Sequence, residues 1–279
     1  MELTKKIGFM QGRLSPLVEG KIQAFPWDTW REEFAVAQTL GLKVMEWTLD
    51  QDRLHQNPLM TSDGHIEIRR LCQTHSICIP SLTGDCFMQA PFWKVSEHEA
   101  ATRKEDFIAI ARACSRIGID NIVVPLVDGG RLENEQQEAA LLAFMLAHRE
   151  MFKKMGLRIV FESDFGPIEL ARFISRLPED TFGVNYDIGN SAALGYKPSE
   201  EFECYGERIV NVHLKDRSLG GPSVPLGAGD ADFSAVFRLL SELAYSGYII
   251  MQTARATDDN HAGALSKYIA QIDTWAEGL

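Results

Sequence analysis

The sequence predicts a single (β/α)8 barrel over residues 1–279, and three observations predict it. Short runs rich in β-branched or aromatic residues alternate with amphipathic stretches from end to end. Eight such runs are present, so a strand-helix unit averages roughly 35 residues, as in a closed barrel. The runs are near-continuously apolar rather than strictly alternating, which indicates a parallel sheet covered by helices.

The first strand is expected over Lys6–Gln11, after the polar lead-in Met1-Glu-Leu-Thr-Lys-Lys6. That lead-in lacks the apolar region of ~7–15 residues that marks a signal peptide, so a cytoplasmic location is expected. A helix over Trp27–Leu40 stops at Gly41 before a strand at Lys43–Trp47, and the third strand follows at Ile77–Leu82. A helix over Ser96–Ile117 opens with Ser96 and Glu99 in capping-box spacing and closes at Gly118, ahead of a strand at Asn121–Leu126. The next pair is a helix over Glu133–Met155 ending at Gly156, then a strand at Leu157–Phe161. A helix over Pro167–Leu177 leads to a strand at Phe182–Asp187, and Ile209–Leu214 is the seventh strand. A helix over Asp232–Tyr245 with Gly247 behind it precedes the last strand, Tyr248–Gln252, and His261–Ala276 closes the chain as a helix. The longest irregular stretches, Thr48–Asp63, Thr83–Val95 and Asp216–Asp230, each follow a strand and so belong at the C-terminal mouth, where barrel enzymes keep their chemistry.

A doubly wound open sheet is the competing fold, but its G-x-G-x-x-G turn after the first strand is missing. The chain is long enough for two average domains, yet α/β barrels of this length commonly form one. Composition is that of an ordinary globular protein, 45 % hydrophobic and 24 % charged, and no apolar stretch approaches the roughly 20 residues of a membrane span. A net charge of −11 disfavours nucleic acid, whose phosphates call for a basic face. The five cysteines are widely spaced with no C-x-x-C pair, and read as reduced, small hydrophobes.

Four strands in the second half stop at a residue able to ligate a metal: Arg158-Ile-Val-Phe-Glu162, Gly183-Val-Asn-Tyr-Asp187, Val210-Asn-Val-His213 and Tyr248-Ile-Ile-Met-Gln252. Parallel barrel strands all point the same way, so Glu162, Asp187, His213 and Gln252 would converge on one mouth as a mixed oxygen and nitrogen site. Such a site suits Mn²⁺, Zn²⁺, Co²⁺ or Mg²⁺. The fourth member is an amide, which adds no charge and accepts no proton at neutral pH.

Phe161-Glu-Ser163, Asp187-Ile-Gly-Asn190, Val212-His-Leu-Lys-Asp216, the loop Pro225-Leu-Gly-Ala-Gly-Asp-Ala-Asp-Phe233 and the opening Met10-Gln-Gly-Arg-Leu-Ser-Pro16 resemble the xylose-isomerase-like barrel superfamily. That superfamily comprises sugar and sugar-phosphate isomerases and epimerases, with endonuclease IV as a relative. The resemblance covers nearly the whole chain. It implies a divalent ion that chelates adjacent oxygens of an open-chain sugar and stabilises an enediolate once a carboxylate removes the α-proton. Carried over by position, Glu162 is ligand and acid/base, and Asp187 and His213 are ligands. Gln252 stands where the family usually has its second catalytic glutamate. An isomerase or a dehydrating lyase therefore reconciles more easily with this chain than two-base epimerisation, and a weakened, sugar-binding barrel is a further reading. An endonuclease-type phosphodiesterase would call for additional strand-end histidines. Oligomerisation is a family expectation only.

Glu46, inside the apolar run Val44-Met-Glu-Trp47, is expected to face the mouth as a substrate-hydroxyl acceptor or second base. Arg13, Lys215, Arg217 and Arg255 are candidate contacts for a substrate anion, and Asn190 for sugar hydroxyls, with solvated or structural roles as the competing readings. Asp216 is read either as the partner that orients His213 or as half of an ion pair with Lys215. Gly227-Ala-Gly229 invites a phosphate-cradle reading without the Walker ending. Trp27, Trp47, Phe87 and Trp93 are read as core or as pocket wall.

Overall fold

The computed structural model describes residues 6–276. Apart from Lys6, the polar lead-in lies outside them.

The strands are β1 (Ile7–Met10), β2 (Val44–Thr48), β3 (Cys78–Thr83), β4 (Asn121–Leu126), β5 (Arg158–Ser163), β6 (Phe182–Asp187), β7 (Ile209–Leu214), the short β8 (Asp216–Arg217) and β9 (Ser223–Val224), and β10 (Tyr248–Met251). All but β8 and β9 close into one barrel in the order β1-β10-β7-β6-β5-β4-β3-β2, every pair parallel. β8 and β9 form a small antiparallel ribbon in the loop after β7. The helices are α1 (Glu32–Thr39), α2 (Ser62–His75), α3 (Asp85–Gln89), α4 (Glu97–Ile117), α5 (Glu135–Lys154), α6 (Pro167–Ser175), α7 (Ile188–Leu194), α8 (Pro198–Tyr205), α9 (Phe233–Glu242) and α10 (His261–Ala276).

Side chains alternate across each strand, and the two faces have different company. One face, including Phe9, Met45, Trp47, Leu82, Phe161, Phe182, Val212 and Met251, joins the main core between sheet and helices. The other points into the barrel, where Met10, Val44 and Ile250 form a small separate cluster. Gly8 opens that interior: a Cβ there would lie 2.7 Å from Val44 Cγ1 and 2.9 Å from Ile250 Cδ1. Toward the mouth the interior turns polar, with Glu46, Ser81, Asn185 and Asn211 all buried. The near-continuous apolar runs thus carry single polar residues that face inward, and these make the site.

The expected helix over Trp27–Leu40 starts later, at Glu32, because the Pro26 carbonyl accepts from the Thr29 and Trp30 amides in a turn of its own. Helix α2, which falls just after the stretch read as irregular, is capped by the Thr61 hydroxyl accepting from Gly64 N at 3.1 Å. The Ser96–Glu99 capping box is present, and Gly41, Gly118 and Gly156 adopt positive φ where their helices end. Gly247 does not: α9 ends at Glu242, and the positive φ falls on Ala244 instead.

Candidate active site

Glu162, Asp187 and His213 end three consecutive strands, β5, β6 and β7. Asp187 and His213 are direct register partners, so the β6–β7 ladder itself sets them side by side. One ligand atom from each of the three lies within 4.8 Å of the other two, and all three residues are buried. His213 Nδ1 is 3.1 Å from Glu162 Oε2 and 3.9 Å from Asp187 Oδ2.

The imidazole is held from behind by Glu46, whose Oε1 lies 2.7 Å from His213 Nε2. Strands β2 and β7 are not neighbours in the ring, so this contact crosses the barrel interior. Glu46 Oε2 also accepts from Ser81 Oγ at 2.7 Å and Asn211 Nδ2 at 2.9 Å. The expectation that Glu46 faces the open mouth is therefore corrected. Its carboxylate is fully buried and committed to His213, Ser81 and Asn211, the arrangement that fixes a ligating histidine by its other nitrogen.

Asp216 does not take that orienting role. Its Oδ2 accepts from Gly227 N at 2.8 Å and Gly229 N at 2.9 Å, and its Oδ1 from Ala231 N at 3.2 Å. The glycine amides read as a phosphate cradle are thus filled by the protein's own carboxylate. Lys215 pairs instead with Asp187, Nζ to Oδ2 at 2.7 Å, and donates to Gln252 Oε1 at 3.0 Å.

Gln252 follows β10, its N–H donating to Leu214 O at 3.0 Å. Its side-chain oxygen and Asp187 Oδ2 share the Lys215 ammonium between them. Gln252 Nε2 donates to Gln23 Oε1 at 2.9 Å, and Gln23 Nε2 donates to Asp85 Oδ2 at 2.7 Å. A polar chain from Asp187 through Lys215, Gln252 and Gln23 to Asp85 therefore crosses the mouth.

Asn190 donates to Glu162 Oε1 at 2.7 Å and accepts from Arg217 Nη1 at 2.8 Å. Arg217 also donates to Gly221 O, so its guanidinium braces both Asn190 and the β8–β9 loop. Arg13 donates to Ile22 O and Gln23 Oε1, each at 3.0 Å, and burial together with the nearby Arg255 pulls its pKa down to about 9. Arg255 donates to the carbonyls of Gly12 and Ser15. Both arginines tie down the loop after β1, which brings Gln23 over the mouth. Trp47, Phe87 and Trp93 are buried in the core, while Trp27 is packed under the Arg53 guanidinium, 4.0 Å from the ring centroid.

Sequence reasoning passed over Asn185, Asn211, Gln23 and Asp85. The first two were legible by parity, lying two residues before Asp187 and His213 on the same strand face. Asn185 Nδ2 donates to Glu162 Oε2 at 3.0 Å and lies 3.0 Å from His213 Nδ1. Gln23 and Asp85 come from irregular segments, where no period announces direction.

Burial alone would disfavour the His213 imidazolium, but Glu46 and Glu162 outweigh it and push the pKa up to about 10. Glu162 is likewise buried, yet the hydrogen bond and charge of His213, helped by Lys215, hold its carboxyl below the ordinary range. It is a carboxylate at neutral pH.

A family profile described as xylose isomerase-like TIM barrel matches residues 34–274. The chain belongs to that family. Among curated proteins it is 24 % identical over 175 residues to an inosose dehydratase of Clostridium perfringens, covering 53 % of this chain and 59 % of the relative. The match therefore spans about three fifths of that relative's length. Among solved structures it superposes on D-allulose 3-epimerase from Methylomonas sp. in complex with D-allulose, with a TM-score of 0.72, 15 % identity and coverage of 95 % and 96 % of the two chains. A sugar phosphate isomerase/epimerase from Parabacteroides distasonis superposes with a TM-score of 0.71, 14 % identity and coverage of 98 % and 94 %. At these identities the structural likeness concerns the fold. The relatives named here are sugar-modifying enzymes.

The donor set fits a divalent cation. Asp187 Oδ2 is buried and receives no hydrogen bond of good geometry, although the Lys215 ammonium lies beside it. Anchoring His213 at Nε2 leaves Nδ1 to face the two carboxylates. A mixed nitrogen and carboxylate set of this kind suits Mn²⁺, Co²⁺, Zn²⁺ or Mg²⁺.

Proposed function

We propose that the protein is a divalent-metal-dependent isomerase or epimerase of an open-chain sugar or sugar phosphate, with Glu162 as acid/base. The observation that carries this reading is the buried Glu162–Asp187–His213 cluster, braced by Glu46 and set at the C-terminal end of a closed barrel. Glu162, Asp187 and His213 would hold the cation, which when bound supplies a Lewis acid for the sugar's carbonyl and hydroxyl oxygens.

Glu162 is ionised at neutral pH and is steered from both sides, Asn190 on Oε1 and Asn185 on Oε2. It takes the proton from the carbon next to the carbonyl and returns it to the neighbouring carbon in an isomerisation. Lys215, between Asp187 and Gln252, places a positive charge where the substrate oxygen becomes negative. Arg217 and Asn190 present donors to sugar hydroxyls beside it. Dehydration begins with the same proton removal and differs only in expelling a β-hydroxyl, so loss of water is a second product class to monitor. An endonuclease-type centre fits less well, because His213 is the one histidine in the donor cluster.

Turnover of a panel of aldoses, ketoses and their phosphates with Mn²⁺, Mg²⁺, Co²⁺ or Zn²⁺ tests the proposal. Glu162→Gln should cost at least about 100-fold in kcat, the usual worth of a positioned acid/base. Turnover that survives both chelation of metal and Glu162→Gln would show the mechanism to be wrong.

A further inference from the structure

Gln252 cannot exchange a proton, yet the polar chain that crosses the mouth ends on a group that can. Asp85 opens α3 just after β3, and its side chain is buried. We propose that Asp85 is the second acid/base residue of this site, exchanging a proton with the substrate carbon on the face opposite Glu162 and making the enzyme an epimerase. This rests on the sugar-isomerase reading above and decides between its reaction types.

Three observations carry it. The first is position. β1 lies four strands from β5 in the closed ring of eight, on the opposite side of the mouth, and β3, which Asp85 follows, lies two strands from β5. Glu162 belongs to β5, while Asp85 Oδ2 is fastened at 2.7 Å to Gln23 Nε2, from the loop after β1. Gln252 is bonded to the oxygen of the same Gln23 amide, so Asp85 stands one amide group from the position where Gln252 is inert. The second is availability: among the described residues no hydrogen bond reaches Asp85 Oδ1. The third is its surroundings. Burial, the Asp50 carboxylate after β2 and the Glu162 carboxylate raise the Asp85 pKa, against Gln23 and Arg13, to about 7. Acid and base forms are therefore both populated near neutrality, the condition for efficient proton transfer.

The step balances without a further reactant. Glu162 takes the proton from the carbon beside the carbonyl, and the C–H electron pair moves onto the carbonyl oxygen. Protonated Asp85 then gives its proton to the same carbon from the other face as the pair returns, leaving Asp85 ionised and Glu162 protonated. Exchange with water resets both. In the reverse direction the roles exchange.

Deuterium incorporation from D2O tests this, using the full chain with Mn²⁺ and a ketose or ketose phosphate panel. For a two-base enzyme the epimer formed in the first turnovers carries deuterium at the inverted carbon, because Asp85 draws its proton from solvent. Substrate protium carried into the epimer would mean one base serves both faces, and would overturn the proposal without any variant. Asp85→Asn keeps an oxygen for Gln23 Nε2. It should still wash deuterium into the starting sugar through Glu162 while epimer formation falls about 100-fold. If Asp85→Asn epimerises at the wild-type rate, or if Gln23→Ala reproduces its loss in full, Asp85 only holds the loop and the proposal fails. If wild type exchanges deuterium into no sugar, the sugar-isomerase reading itself falls and takes this inference with it.

Discussion

Glu46 shows how one buried residue can be mistaken by chemistry alone. A carboxylate inside an apolar strand suggested a group aimed at substrate, but its oxygens are spent on His213, Ser81 and Asn211. The consequence is specific. Glu46→Gln places an amide N–H against His213 Nε2, which must then accept and carry its proton on Nδ1, the nitrogen facing Glu162 and Asp187. Divalent-cation affinity measured by calorimetry should fall about 10–100-fold with the circular dichroism spectrum unchanged. Glu46→Ala instead leaves the buried imidazolium without its partner on Nε2 and should cost about 3–5 kcal/mol of stability by denaturant unfolding. Equal metal affinity in Glu46→Gln and wild type would remove Glu46 from any supporting role. The ligand candidates themselves were legible because each ends an apolar run. What Lys215, Asp216 and Gln252 touch was not, because neighbours in sequence point to different neighbours in space.

Among the elements, the loop after β7 makes the same point. Its closely spaced glycines expose backbone amides that invite an anion, and an anion is there: the Asp216 carboxylate, three residues beyond His213. Gly229 is required at that spot, since a Cβ would lie 2.3 Å from Asp216 Oδ1. Asp216→Ala should leave three amides without their acceptor, costing about 2 kcal/mol and opening the 218–230 segment to limited proteolysis while the barrel stays folded. Protease resistance equal to that of wild type would mean the β8–β9 ribbon and the Arg217 contacts hold the loop without Asp216. Helices with strong punctuation, such as α4 with its Ser96 capping box and terminal Gly118, were read nearly to the residue. Short helices such as α3, α7 and α8 were not, because one or two turns carry too few residues to show a period.

For the whole molecule, the proposed cation site, shared by three strands of a closed barrel, predicts that metal stabilises the fold as a unit. A ligand at about 100 times its Kd adds about 2.7 kcal/mol. Saturating Mn²⁺, Co²⁺ or Zn²⁺ should therefore raise Tm by roughly 5–10 °C in calorimetry. His213→Ala should abolish the shift, and an undiminished shift in that variant would place metal binding elsewhere. No helix among the described residues is long and apolar enough to cross a membrane.

The order of the barrel strands, the closure into eight units and the convergence of Glu162, Asp187 and His213 were determined by the sequence itself. Their cause is local: apolar runs, glycine stops, and the common direction of parallel strands that carries every strand end to one mouth. Only the tertiary structure decided that Glu46 braces His213 from across the barrel and that Gln252 pairs with Lys215 and Gln23. It also decided that Asp85 reaches the mouth by way of the loop after β1. These contacts join segments that no sequence period relates, and burial settles them by requiring each enclosed polar group to find a partner wherever the closed ring brings one.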